Sequence, residues 1–347
     1  MRSLHTTFFL CSLLCSQATA QPPPIKNLVF EGAGIRGIAY AGVLSAMEEQ
    51  GALATVERVG GTSAGAISSL LFALGYTPTE IEAIISQTKF QKFNDGRFFF
   101  IGSIARTKKR FGWYRGQKFS RWLGDLVEAK TGSAETTFAE MSERGFRELY
   151  VTATCLNKQE MVVLSRQTYP DMKIRDAVRI SMSIPLYFQA VFVDSVGRTF
   201  SRQNRANDLD VIVDGGIIGN FPIQLFDSVV VNAQHQAVRI PNVETIGIRI
   251  DSDSQIKEDT LTRHLAPFEI ANFRDYLSAF YVLVIESLNR PDLTDADWSR
   301  TISVSSAGIT PKVKRLSAEQ KASLVNSGRE STRDYLQQRS RPLTQTR

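Results

Sequence analysis

Along the first ninety residues the spacing of apolar positions switches between two periods, one short and strand-like, one helical. "KNLVF" (26–30) is a short apolar run of the kind a buried strand makes. "GIAYAGVLSAMEEQG" (37–51) then sets Ile38, Gly42, Leu44 and Met47 along one side of a helix that Gly51 stops. "TVERVG" (55–60) reads as the next strand, and the apolar run after Ser63 as the next helix, closed by Gly75. Thr77 as N-cap, Pro78 at the first helical position and Glu80 in a capping box open a third helix. Strand and helix alternate from the start, which predicts an α/β domain around a largely parallel sheet.

Residues 93–116, "FNDGRFFFIGSIARTKKRFGWYRG", break this rhythm with aromatic and basic residues. They fit a packed loop with a solvated basic tip, a mobile flap over an apolar site, or a patch that meets anionic lipid headgroups. Beyond them, "KFSRWLGDLVEAKTG" is helical, "LYVTATCLN" and "EMVVLSR" are paired strands, and "DMKIRDAVRISMSI" is a helix stopped at Pro185. A polar loop, "SVGRTFSRQNRANDLD", joins "QAVFVD" to "DVIVDGG". "ETIGIRI" is a strand. Residues 264–290 form a long helical segment with Phe268, Phe273, Tyr276, Phe280 and Leu283 near one face, for which packing against the core is the expected use. A last strand near "RTISVS" and a polar helix complete a domain expected over 26–335, with 336–347 as a flexible tail.

The first twenty residues carry Arg2, an apolar centre "FFLCSLLC" and the small ending Ala18-Thr19-Ala20, the three parts of a secretory signal peptide. Residues 21–25 follow as a stiff linker. Export to a periplasmic or extracellular space is expected. Cleavage removes Cys11 and Cys15, leaving Cys155 alone in an apolar strand, where a buried inert thiol is expected. The net charge of +6 falls to +5 with the loss of Arg2, too mild for a nucleic-acid binder. No later stretch reaches the roughly 18 charge-free apolar residues of a membrane span, so membrane contact is expected to be peripheral at most.

The chemistry centres on "GTSAG", with Ser63 between Gly61 and Gly65 at a strand-to-helix turn. A nucleophile elbow needs small flanking residues there; a helix N-cap would also favour serine. Twenty-nine residues earlier, "EGAGIRG" sets Gly32, Gly34 and Gly37 between the first strand and first helix, a loop that aims N–H groups at a negative atom. The second strand runs into the serine turn rather than ending in an acid for a ribose, so an oxyanion hole fits better than a dinucleotide site. Asp214 ends an apolar strand in "VIVDGGIIGNFP", where Gly215 and Gly216 allow a sharp turn; a plain Asp-Gly turn is the alternative. His235 and His264 are the mature chain's histidines, both in polar settings that suit the surface.

Serine elbow, glycine loop and D-G-G in that order resemble the patatin-like phospholipase family. "RISMSIPLYF" with Pro185, "GNFPI" with Asn220, "TTFAEM" and "LYVTAT" extend the likeness over residues 26–260. The resemblance implies a three-layer α/β/α patatin-like fold with a mostly parallel central sheet. It implies Ser63 as nucleophile and Asp214 as base in a Ser-Asp dyad, with catalytic motifs inside 26–225. Gly32, Ala33, Gly34 and Ile35 would form the oxyanion hole, supported by Arg36 and Gly37. Ala33 stands where many members have glycine, which leaves open which amide points inward. Arg36 serves either a structural ion pair or a lipid phosphate. The implied activity is hydrolysis of fatty-acyl esters, of phospholipase A or lysophospholipase type, with a membrane phospholipid or other acyl lipid as substrate and neither metal nor cofactor. An α/β-hydrolase esterase using His235 or His264 and a non-catalytic lipid- or nucleotide-binding protein are the rival readings.

Overall fold

A computed structural model describes residues 22–95, 111–202, 208–290, 293–310 and 315–341. The strands are β1 (Asn27–Phe30), β2 (Arg58–Gly61), β3 (Gly112–Tyr114), β4 (Glu148–Cys155), β5 (Glu160–Leu164), β6 (Leu186–Phe188), β7 (Val191–Val193), β8 (Thr199–Phe200), β9 (Asp210–Asp214), β10 (Ser228–Val231), β11 (Ala237–Ile240), β12 (Thr245–Asp251) and β13 (Thr301–Ser305). The helices are α1 (Ala39–Glu49), α2 (Ala64–Ala73), α3 (Pro78–Gln87), α4 (Gln117–Thr131), α5 (Phe138–Glu143), α6 (Ile174–Ser181), α7 (Asp253–Leu261), α8 (Phe273–Asn289), α9 (Asp295–Ser299) and α10 (Ala318–Arg339).

The architecture is α/β, a mixed central sheet flanked by helices. Nine strands run in the order β13-β12-β1-β2-β4-β9-β7-β8, with β5 on β4. Strands β13, β12, β1, β2 and β4 are mutually parallel, whereas β9 and β5 run antiparallel to β4. Helix α2 is buried at every position, which its all-round apolar sequence requires. Helices α1 and α10 touch backbone to backbone, because any Cβ on Gly42 or Gly328 would strike Val325 O or Ala39 O.

One feature of register positions the site. Val151 of β4 pairs with Leu164 of β5 on one edge and Gly61 of β2 on the other; two residues on, Ala153 pairs with Val162 and with Asp214 of β9. Strands β2 and β9 therefore share a single edge of β4 and meet there by their C-terminal ends.

The local signals at Thr77, Pro78 and Glu80 give the capping box as read, and Gly75 takes φ +78 after α2. Three expectations need correction. The segment 264–290 is helical only from Phe273. Its apolar stripe is not core: Phe273, Tyr276, Phe280 and Leu283 are all more than half exposed, while the C-terminal end of α8 is held at the D-G-G turn through Asn289. Helix α10 continues to Arg339, so residues 336–339 are helical rather than tail. The 93–116 stretch includes β3, paired parallel with β6, while residues 96–110 lie outside the described residues. The proposed signal segment lies there too. Among the described residues no helix is long and apolar enough to cross a membrane.

Candidate active site

Strand β2 delivers Thr62 and Ser63 to the start of α2 through a turn closed by Gly65 N–H donating to Thr62 O at 2.8 Å. Ser63 sits at φ 53°, ψ −118°, a conformation that costs a non-glycine residue about 1–3 kcal/mol and persists only where its surroundings enforce it. The glycines on either side are the enforcement. A Cβ on Gly61 would lie 2.7 Å from the Gly65 carbonyl carbon, and one on Gly65 would collide with the carbonyl oxygens of Phe30 and Glu31. The Ser63 N–H donates to Ser181 Oγ at 2.8 Å, fixing the strained turn to the end of α6.

Asp214 ends β9 with its N–H donating to Ser183 O at 3.0 Å. Its Oδ1 accepts from Gly216 N–H at 2.7 Å. Burial pushes its carboxyl up to about 7, against the opposing pull of the Gly216 amide and of the Ser63 hydroxyl, which lies close enough to interact with it. The same hydroxyl lies 3.2 Å from Met182 Sδ, a weak acceptor. Thr62 Oγ1 reaches across to Gly219 O at 2.6 Å, tying the elbow to the loop that follows Asp214.

The glycine loop turns at Gly34, which takes φ +56 and leads into a short 3-10 helix, Gly34–Ile38. Ala33 itself adopts φ −126°, ψ 2°, open to any L residue, so its methyl group strains nothing. Gly32 N–H is engaged with Asn220 O at 2.9 Å. The amides of Ala33, Gly34 and Ile35 have no backbone acceptor among the described residues, and Gly34 and Ile35 line the pocket beside Ser63. Gly37 lets this loop close on the elbow, its Cβ position 3.0 Å from Ala64 Cβ.

Ser63, Gly34 and Ile35 open onto a pocket whose other walls are almost wholly apolar, among them Ile38, Ile67, Phe90, Phe119 and Phe188. The sequence profile described as patatin-like phospholipase matches residues 28–227, more than half of the chain. The chain belongs to the patatin-like phospholipase family. It is 34% identical over 208 residues to the YqhO protein of Bacillus subtilis (strain 168), a match covering 57% of this chain and 65% of YqhO. It is 26% identical over 205 residues to 463L of Invertebrate iridescent virus 6, described as a probable lipid hydrolase, covering 59% of this chain and 64% of that protein. It thus spans just under two thirds of the length of both relatives. In fold it is similar to VipD from Legionella pneumophila, with a TM-score of 0.55, 17% identity, and 92% and 68% of the two chains covered.

The D-G-G turn of this patatin-like chain is supported from outside the matched region. Asn220 Nδ2 donates to Glu31 Oε1 at 3.2 Å, and Asn220 N–H donates to Asn289 Oδ1 at 2.6 Å. Asn289 Nδ2 returns to Ile217 O at 3.2 Å, so the end of α8 clamps both sides of the turn. Glu31 is buried and pushed up to about 8, chiefly by desolvation; Arg249 opposes that rise while Asp251 and Glu286 add to it. Arg249 pairs with Glu31 at 3.5 Å, Asp251 at 3.0 Å and Glu286 at 3.2 Å, a buried ionic hub under the glycine loop.

Other sequence candidates fall as follows. Arg36 Nε donates to Ala33 O at 3.3 Å, bracing the loop it belongs to. Pro185 lies beyond α6, which already ends at Ser181. Gly215 packs onto Thr152 and Gly216 against the Asp214 carboxylate. His235 and His264 are exposed, and Cys155 is a buried free thiol. Ser181, Met182, Glu31, Arg249 and Asn289 were not singled out by sequence. Ser181 and Met182 sit within the motif "RISMSIP", and Glu31 opens the glycine motif "EGAGIRG".

Proposed function

We propose that this chain is an exported serine lipid acyl hydrolase, of phospholipase A or lysophospholipase type, working through a Ser63–Asp214 dyad. The observation that carries the reading is the meeting of a strained serine, a buried carboxylate and the free amides of Gly34 and Ile35 at one end of an apolar pocket. The family membership and the likeness to a viral protein described as a probable lipid hydrolase support the substrate class. The leader-like first twenty residues support export to the periplasm or beyond.

In this reading the acyl chain occupies the apolar pocket and its carbonyl oxygen faces the amides of Ala33, Gly34 and Ile35. Ser63 Oγ bonds to the carbonyl carbon while its proton passes to Asp214. The tetrahedral oxyanion is held by amides already aimed at it, each worth roughly a hundredfold in rate. The ester C–O bond then breaks, the leaving alkoxide takes the proton from Asp214, and an acyl-serine remains. Water attacks that ester, gives its proton to Asp214, and releases the fatty acid as Ser63 recovers the proton. A carboxylate of ordinary pKa is a poor base for a hydroxyl; burial raises Asp214 toward the working pH.

The test is turnover of a chromogenic fatty-acyl ester together with labelling by a fluorophosphonate. Ser63→Ala should lose both, and Asp214→Asn should lose at least about a thousandfold in rate. Wild-type rates in either variant would overturn the dyad.

A further inference from the structure

The ribbon formed by β3 and β6 is the rim of the apolar pocket, since Tyr187 and Phe188 of β6 line it. The ribbon exposes large apolar groups. Trp113 is 54% and Leu186 72% exposed, with Phe111 beside them resting on Phe192. Phe111 and Leu186 both hold positive φ, 56° and 67°, which is rare for bulky residues and turns their side chains away from ordinary strand positions. The ribbon is held firmly in this shape. The buried Arg179 guanidinium donates to Arg115 O at 3.0 Å and Gln189 O at 3.4 Å, and Gln189 N–H donates to Tyr114 O at 2.8 Å.

Around these groups lie exposed cations, Arg115, Lys118 and Lys92. Of the acids nearby, Asp95 is turned to the backbone, accepting from Gly116 N–H at 2.7 Å and Lys118 N–H at 3.0 Å, and Asp176, in a cleft with Arg115, faces Arg175 Nε at 3.7 Å. An exposed indole and leucine near exposed cations match the boundary of a bilayer, where apolar groups meet acyl carbons and cations meet phosphates. An ordinary protein partner would not explain why this patch runs without a break into a pocket suited to acyl chains.

We propose that the β3–β6 ribbon is the docking face for an anionic phospholipid bilayer, with Trp113 and Leu186 entering the interface and Arg115, Lys118 and Lys92 on the headgroups. This rests on the lipid-hydrolase reading and adds to it the orientation of the pocket, whose rim meets the lipid so that an acyl chain passes from bilayer to Ser63 along apolar surface.

The experiment uses the full mature chain carrying Ser63→Ala, so that binding is read without hydrolysis. It is sedimented with vesicles of phosphatidylcholine alone or with about one third phosphatidylglycerol, with thermal melts to confirm folding. Binding should be stronger on the phosphatidylglycerol vesicles. Arg115→Glu with Lys118→Glu should weaken that binding about tenfold or more and leave binding to phosphatidylcholine unchanged. Trp113→Ser with Leu186→Ser should weaken both by a similar factor. As a readout that keeps the surface apolar, the blue shift of tryptophan emission on adding vesicles should vanish in Trp113→Phe, because Trp122 and Trp298 are less exposed. Unchanged sedimentation of the variants, a blue shift that survives Trp113→Phe, or Trp113-dependent self-association in place of vesicle binding would each overturn the proposal. Because mass bound is measured on a protein without its nucleophile, this outcome is independent of whether the dyad reading holds.

Discussion

Gly61 and Asp214 face the same edge of β4 two positions apart, Gly61 opposite Val151 and Asp214 opposite Ala153. That relationship brings the serine turn and the carboxylate together although they close strands running in opposite directions. It also commits the carboxylate to a buried place, and burial sets its titration.

With Asp214 pushed up to about 7, the base is neutral in acid and able to accept a proton above neutrality. The value of kcat/KM for a soluble ester should therefore rise with pH through about 7 and level off. Stability should move the other way. The folded carboxyl binds its proton more tightly than the unfolded one at about 3.9, so its contribution is complete below about 4 and lost as pH climbs through 7. Asp214→Asn should melt above wild type at pH 8, by an amount that shrinks toward pH 4. Melts across this range check the sign.

Ser181 should matter to rate out of proportion to its size. Its Oγ is the acceptor for the buried Ser63 N–H, and removing it leaves that donor unpaired at a cost of about 1–3 kcal/mol in the strained turn. Ser181→Ala should lower kcat at least tenfold with a lower melting temperature, and Ser181→Thr should recover part of both. Kinetics and melts of the pair measure this.

Asn289 lies beyond the matched region yet holds both flanks of the D-G-G loop. Asn289→Ala should lower kcat roughly tenfold with KM little changed, because it shifts the base and not the pocket walls. Asn289→Asp keeps the acceptor for Asn220 N–H but loses the donor to Ile217 O, and should fall between the two.

Replacing both exposed histidines, His235 and His264, with asparagine should leave ester turnover within about twofold of wild type, as surface substitutions do. A loss of several hundredfold would favour a histidine-dependent triad instead.

What the sequence made legible was local. The Thr77 capping box, the elbow glycines and the order of strands and helices each rest on residues a few positions apart, where spacing alone carries the physics. Ala33 is legible only in part: sequence shows the methyl group, and only the backbone angles show that Gly34 absorbs the turn. The stripe on α8 went astray because periodicity tells which side of a helix is apolar and not what covers it. Asn289 and Ser181 act through single polar contacts with residues far away in the chain, which leave no periodic trace.

The head-to-head junction of β2 and β9 has a consequence for how the chain folds. Strand β2 and strand β9 reach the same edge of β4 through separate long-range pairings, so the serine turn and the carboxylate come together only after both have closed. Until both are made, Ser63 and Asp214 stand apart.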